Sequence, residues 1–251
     1  MKTSIAMLEL FRSIFAPPRH LILLLAALWL GLTLSEKRVS RHGLSKEALS
    51  NLVYYCLLAY VLGGRILFVL EHLQVFIESP LGIFSPNIDL FDPVAALVTA
   101  FLVGLIYGQR QKLPLWPTLD ALTPFFAVLA IGLHLSHLAA GTAFGSPTRL
   151  PWGIELWNAI RHPTQTYELI ASLLIFSFLW FRNPGPFPGS DFLWFTALTA
   201  VSRLFFEAYR GDSTLILNGL RSAQLTAWFV LGAAIVISEI LRAREKNKPS
   251  M

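Results

Sequence analysis

Three groups of functional side chains interrupt a chain that is otherwise strongly apolar. The densest is the run Arg161-His162-Pro163-Thr164-Gln165-Thr166-Tyr167-Glu168. The second is His134 with His137, spaced i, i+3, and the third is Arg203, Glu207 and Arg210, spaced i, i+4, i+7. On a helix both spacings put the side chains on one face. Imidazoles accept protons or ligate metals, guanidiniums fork onto oxyanions, and carboxylates hold guanidiniums in place. One charged side chain at mid-membrane costs at least ~2.5–3.5 kcal/mol on insertion scales. Groups retained at that cost imply a site, placed at the membrane–water boundary.

The elements that must carry these groups follow from composition. Hydrophobic residues make up 55% of the 251 and charged residues 14%; mean hydropathy is +0.59. A soluble domain carries nearly twice that charged fraction. The chain therefore reads as an all-α integral membrane protein. Seven apolar segments are expected, at 20–35, 51–70, 93–107, 119–140, 167–181, 192–206 and 220–241; the third and fifth are short and should extend into their flanks. The first apolar run starts late and is followed by basic residues, the pattern of a retained span rather than a cleaved signal.

Basic residues orient the spans. Lys37, Arg38, Arg41 and Lys46 follow the first span, Arg110 and Lys112 the third, Arg182 the fifth, and Arg242, Arg244, Lys246 and Lys248 the seventh. Loop 71–92 has no Lys or Arg but carries Glu71, Glu78, Asp89 and Asp92. The positive-inside rule then puts the N-terminus outside and the C-terminus in the cytoplasm. Lys2, Arg12 and Arg19 oppose this, and residues 4–15 read as an interfacial helix with Leu8, Leu10, Phe11 and Phe15 toward lipid. The expected organisation is an interfacial segment over 1–19, a seven-span domain over 20–245, and a cytoplasmic tail over 246–251.

This topology gathers His72, Asp92, His134, His137, His162, Glu168, Arg203, Glu207 and Arg210 in or near the outer half of the membrane. A cavity open to the outer leaflet is expected, lined by Arg65, His134, His137, His162, Gln165, Tyr167, Arg203 and Glu207. Plainer alternatives stand beside it. Arg203 and Glu207 can be a purely structural ion pair, Arg65 can snorkel to the interface, and the two histidines can bond neighbouring helices. Gly63-Gly64 reads as helix packing. A metal site from His134, His137 and His162 is conceivable, but no Cys or acidic partner has convincing spacing, so neither metal nor other cofactor is expected. Cys56 is a small buried hydrophobe. No basic stripe with interleaved aromatics exists, which argues against nucleic acid.

The same residues carry a resemblance. Arg161 to Glu168 resembles the Arg-His-Pro-Ser/Thr-Gln-x-Tyr-Glu signature of prolipoprotein diacylglyceryl transferases. Gly63-Gly64-Arg65-Ile66-Leu67-Phe68-Val69-Leu70 resembles that family's Gly-Gly/Ala-Arg-x-x-Tyr-Val-Leu segment. The loop Gly145 to Gly153 is similar to its Gly-x-Pro-Thr-x-x-Pro-Trp-Gly loop, and Arg203 to Arg210 to its Arg-x-x-x-Glu-x-x-Arg helix. The order and rough spacing agree from about residue 20 onward. Two elements depart. Leu90-Phe91-Asp92-Pro93-Val94 stands where the family has His-Gly-Gly. In Gly132 to Thr142, His134 stands for the family's Arg, His137 and Ala140 for its two Asn, and Thr142 for its Glu.

The resemblance implies transfer of the diacylglyceryl group of phosphatidylglycerol to the lipobox cysteine of a preprolipoprotein, at the outer leaflet of a bacterial cytoplasmic membrane. A thiolate attacks a glycerol carbon and a glycerol phosphate leaves. A base or cation must promote loss of a thiol proton whose ordinary pKa is ~8.5. Arg203 would clamp the phosphate, with Arg65, Arg161, Arg210, Gln165, Tyr167, Glu168 and Glu207 binding or positioning substrate. His134, His137 or His162 would act as base, Asp92 being a weaker candidate. Two other readings stay open: a phospholipid-dependent transferase with a different acceptor, and a non-catalytic lipid- or lipopeptide-binding protein. Expected partners are the phospholipid, the membrane and a preprolipoprotein signal peptide; the chain is expected to act as a monomer.

Overall fold

The computed structural model describes residues 19–85, 90–216 and 219–247; the interfacial segment expected over 4–15 lies outside them. The long elements are helices: α1 (Arg19–Arg38), α2 (Lys46–Glu71), short α3 (Leu73–Glu78), α4 (Pro93–Arg110), α5 (Leu115–Ala140), α6 (Thr164–Phe181), α7 (Ser190–Phe206) and α8 (Ser222–Lys246). Six stretches are long and apolar enough to cross a membrane: His20–His42, Lys46–Glu71, Pro93–Arg110, Leu115–Ala140, Thr164–Phe181 and Ser222–Lys246. Large apolar side chains such as Leu25, Trp29, Phe101, Phe181 and Phe229 face outward on them, as lipid-facing surfaces do. The protein is a multi-pass membrane protein.

The sixth expected span, 192–206, forms α7. It has 17 residues and carries Asp191 and Arg203, and it tightens into a 3-10 turn at Glu207–Tyr209. The short third and fifth segments do extend, to Arg110 and back to Thr164. The last segment differs at its start. Leu220 and Arg221 form a strand paired with Leu215 and Ile216, and the helix begins at Ser222.

The chain divides into two compact units, residues 38–118 and the remainder. In the first unit α2 packs on α4. A Cβ at Gly63 would collide with Thr99, and one at Gly64 would meet Phe91 and the Asp92 carbonyl, so this glycine pair is there for close helix approach. Ser45 caps α2 by accepting from Ala48 N at 3.0 Å. Asp92 caps α4, its Oδ1 accepting from Val94 N and Ala95 N, both at 2.8 Å, with Pro93 in the first turn, where a missing N–H costs nothing. Asp92 thus serves as the N-cap of α4.

In the second unit α1 meets α5 through a stripe of small residues, Ala27, Gly31 and Ser35. A Cβ at Gly132 would collide with Ala27. Pro124 lies inside α5, where proline disturbs the backbone ladder. Ser35 Oγ compensates by accepting from Phe125 N at 3.0 Å, a repair typical of buried prolines in spanning helices.

Asp120, also on α5, is 6% exposed. Its carboxylate accepts from the backbone N–H of Gly189 at 2.6 Å, Asp191 at 3.0 Å and Phe192 at 2.9 Å. A carboxylate at the positive end of a helix satisfies otherwise orphaned donors, so Asp120 fixes where α7 begins and hence where Arg203 falls.

Candidate active site

The loop between α5 and α6 positions the site. Its hairpin pairs β1 (Ile154–Leu156) with β2 (Ala159–Arg161) in antiparallel register. Trp157 and Asn158 both have positive φ, 53° and 57°, as a two-residue type I′ turn requires. Trp157 is anchored there by an indole N–H bond to the Gly141 carbonyl at 3.0 Å. Residues before the hairpin thread between two site segments. Ser146 N donates to Tyr209 O at 2.8 Å, Gly211 N to Phe144 O at 2.9 Å, and His162 N to Ser146 O at 3.0 Å. A Cβ at Gly145 would collide with the His162 carbonyl and Cβ. The loop thereby ties His162 to the segment carrying Glu207 and Arg210.

Beside this tie lies a network of three carboxylates and two guanidiniums. Arg203 Nη1 lies 2.9 Å from Glu168 Oε1, and its Nη2 lies 2.9 Å from Glu207 Oε2. Arg210 Nη1 is 3.6 Å from Glu168 Oε2 and its Nε is 3.8 Å from Glu207 Oε2. Arg210 also grips Asp212 with two bonds, at 2.9 and 2.8 Å. Arg221, which the sequence reading did not single out, donates to the carbonyls of Glu207 and Arg210 and to Ser213 Oγ. Glu168 and Glu207 side chains are 3% and 2% exposed, whereas Arg203 is 35% exposed. Arg203 is thus the cation of this network that an incoming anion can reach.

His134 approaches the same network, its Nδ1 3.3 Å from Glu168 Oε2. His137 stands beside it, ring centroids 6.2 Å apart. His162 packs against the rings of Tyr209 at 5.1 Å and Tyr167 at 6.3 Å, and Tyr167 accepts an N–H bond from Trp152 at 2.8 Å. The fold brings together His134, His137, Glu168, Arg203, Glu207 and Arg210. It places Tyr167 and His162 in an adjoining aromatic cluster.

The remaining candidates are engaged with backbone. Arg161 donates to the carbonyls of Leu156 at 3.0 Å and Gly145 at 3.3 Å, and lies over the Phe144 ring. Gln165, buried, donates to Thr142 O at 2.8 Å. In its own unit, Arg65 donates to the carbonyls of Ile83, Leu90 and Gly82 at 3.0, 2.5 and 2.6 Å. It clamps the loop after α3 rather than snorkelling.

Comparison with known proteins gives the family. The family model for prolipoprotein diacylglyceryl transferase matches residues 19–239. The chain belongs to the prolipoprotein diacylglyceryl transferase family. It is 30% identical to the phosphatidylglycerol–prolipoprotein diacylglyceryl transferase of Gloeobacter violaceus, with 87% of each chain covered. The same-named protein of Nostoc sp. is 28% identical, covering 91% of this chain and 86% of the relative. That of Clostridium tetani is 24% identical, covering 85% and 88%. As a member of the diacylglyceryl transferase family, the chain is an enzyme, and the network around Arg203 is its candidate active site.

Proposed function

We propose that the protein transfers the diacylglyceryl group of phosphatidylglycerol to the lipobox cysteine thiol of preprolipoproteins, at the outer leaflet of a bacterial cytoplasmic membrane. The observation that carries this is Arg203. Its guanidinium is held by two buried carboxylates, yet is itself a third exposed. Such a guanidinium is oriented before substrate arrives, and a pre-oriented donor stabilises developing charge without reorganising. The family membership supplies the substrate class.

In the proposed reaction the cysteine sulfur bonds to the glycerol carbon bearing the phosphoester oxygen. The carbon–oxygen bond breaks, and glycerol phosphate leaves with that electron pair. The thiol proton passes to an imidazole, that of His134, His137 or His162. Arg203 forks onto the phosphate oxygens and stabilises the leaving anion. Arg210, Glu168 and Glu207 position Arg203; Arg161 and Gln165 hold the loop that carries His162. The N-terminus is outside and the C-terminus in the cytoplasm, following the basic loops.

Complementation tests this reading. Expressed in bacteria depleted of their own transferase, the chain should restore lipid-modified lipoproteins and growth. Stable expression without any lipid-modified lipoprotein would argue against it.

A further inference from the structure

We infer that His134, His137 and Glu168 form a binding site for one zinc ion beside the arginine network. One potential ligand atom from each residue lies within 4.8 Å of the other two. Ligands ~2.0–2.1 Å from a tetrahedral zinc stand roughly 3.3 Å apart, so side-chain rotations of about an ångström would close the set. Two histidines and one glutamate, with a fourth position left for water or substrate, is a donor set suited to zinc.

A further observation points to a cation here. The Nδ1 atom of His137 is buried and has no hydrogen-bond partner among the described residues, a condition native structures seldom leave unexplained. Glu168 lies between Arg203 and Arg210 on one side and His134 on the other. Glu168 can serve both roles, because Oε1 holds Arg203 while Oε2 faces His134. Arg210, 3.6 Å from Oε2, is already gripped by Asp212 at 2.8 Å, so it need not compete for that oxygen.

The catalytic meaning rests on the transferase reading; the binding itself does not. Where the family pattern has an arginine this chain has His134, so a fixed cation is missing, and a divalent ion would replace it. Bound zinc would supply a Lewis acid toward phosphate oxygen or thiolate. His162 would then remain as the imidazole that takes the thiol proton.

The test uses the full chain purified in detergent, stripped with a chelator and reloaded with zinc. Elemental analysis should find one zinc per chain, and zinc should raise the unfolding temperature. Cobalt in its place should give the absorption bands of a four-coordinate site. H134A and H137A should each lose stoichiometric zinc while unfolding near the temperature of the metal-free wild type. Absence of stoichiometric metal, or its retention in both variants, would overturn the inference. None of these readouts needs turnover, so a zinc-binding but inactive protein, or an active one without zinc, separates this inference from the transferase reading.

Discussion

Glu168 on α6 accepts a 2.9 Å hydrogen bond from Arg203 on α7, with the carboxylate buried and the guanidinium a third exposed. This single contact joins two helices and aims the one cation of the ion-pair network that substrate can reach. A buried carboxylate of this kind costs desolvation that only its partners offset. Its retention is best explained by what it positions.

Removing Glu168 leaves two guanidiniums with one fewer buried partner. Breaking one side of a buried pair costs about 3–5 kcal/mol. Thermal unfolding of E168A should show a loss of that order. E168Q, which keeps the shape and an acceptor oxygen, should lose less. An E168A protein as stable as wild type would show that the contact does not form.

The three histidines have separable roles. H134A and H137A should both lose zinc and lower the transfer rate ~10²–10³-fold, the size of a lost electrostatic stabiliser. H162A should lower the rate without changing metal content. Loss of rate in only one of H134A and H137A, with zinc absent throughout, would assign that residue as a simple base.

Gly145 is a positional test. A methyl group there would meet the His162 backbone and Cβ. G145A should push His162 away from Tyr209, reduce transfer and lower the unfolding temperature. Wild-type activity in G145A would contradict the threaded loop.

Asp120 tests how α7 is anchored. D120A strands three backbone donors, at about 1–3 kcal/mol for each unsatisfied group. The unfolding temperature should fall, and D120N should recover part of the loss. If D120A unfolds like wild type, the start of α7 is held by something else.

Much of this was legible in the sequence, because spacing on a helix is fixed by geometry. His134 with His137, and Arg203 with Glu207, share faces by period alone. The apolar runs located the helices, and their short members extended as span length demands. What was not legible is which helix faces which. Glu168 joins the two histidines only because α6 packs so that its first turn meets α5, and no spacing encodes that. Asp120 stands as a lone acid inside an apolar run, but its partners are backbone donors at the start of α7, which no spacing reveals. The aspartate-proline pair at Asp92 is a helix-start signal. Arg161, Gln165 and Arg65 sit in the matched motifs, but their partners are loop carbonyls, which carry no side-chain signature.

The most direct measurement is transfer by the purified chain in vesicles of phosphatidylglycerol, with a lipobox peptide, read by mass spectrometry. Wild type should add one diacylglyceryl group to the peptide thiol and release glycerol phosphate. R203A should keep its fold yet lose ~10²–10³ in rate, the size of one lost electrostatic donor. R203K should recover only part, since an ammonium cannot fork onto phosphate. A wild-type protein that binds the lipid without modifying the peptide, or an R203A variant of undiminished rate, would contradict the account.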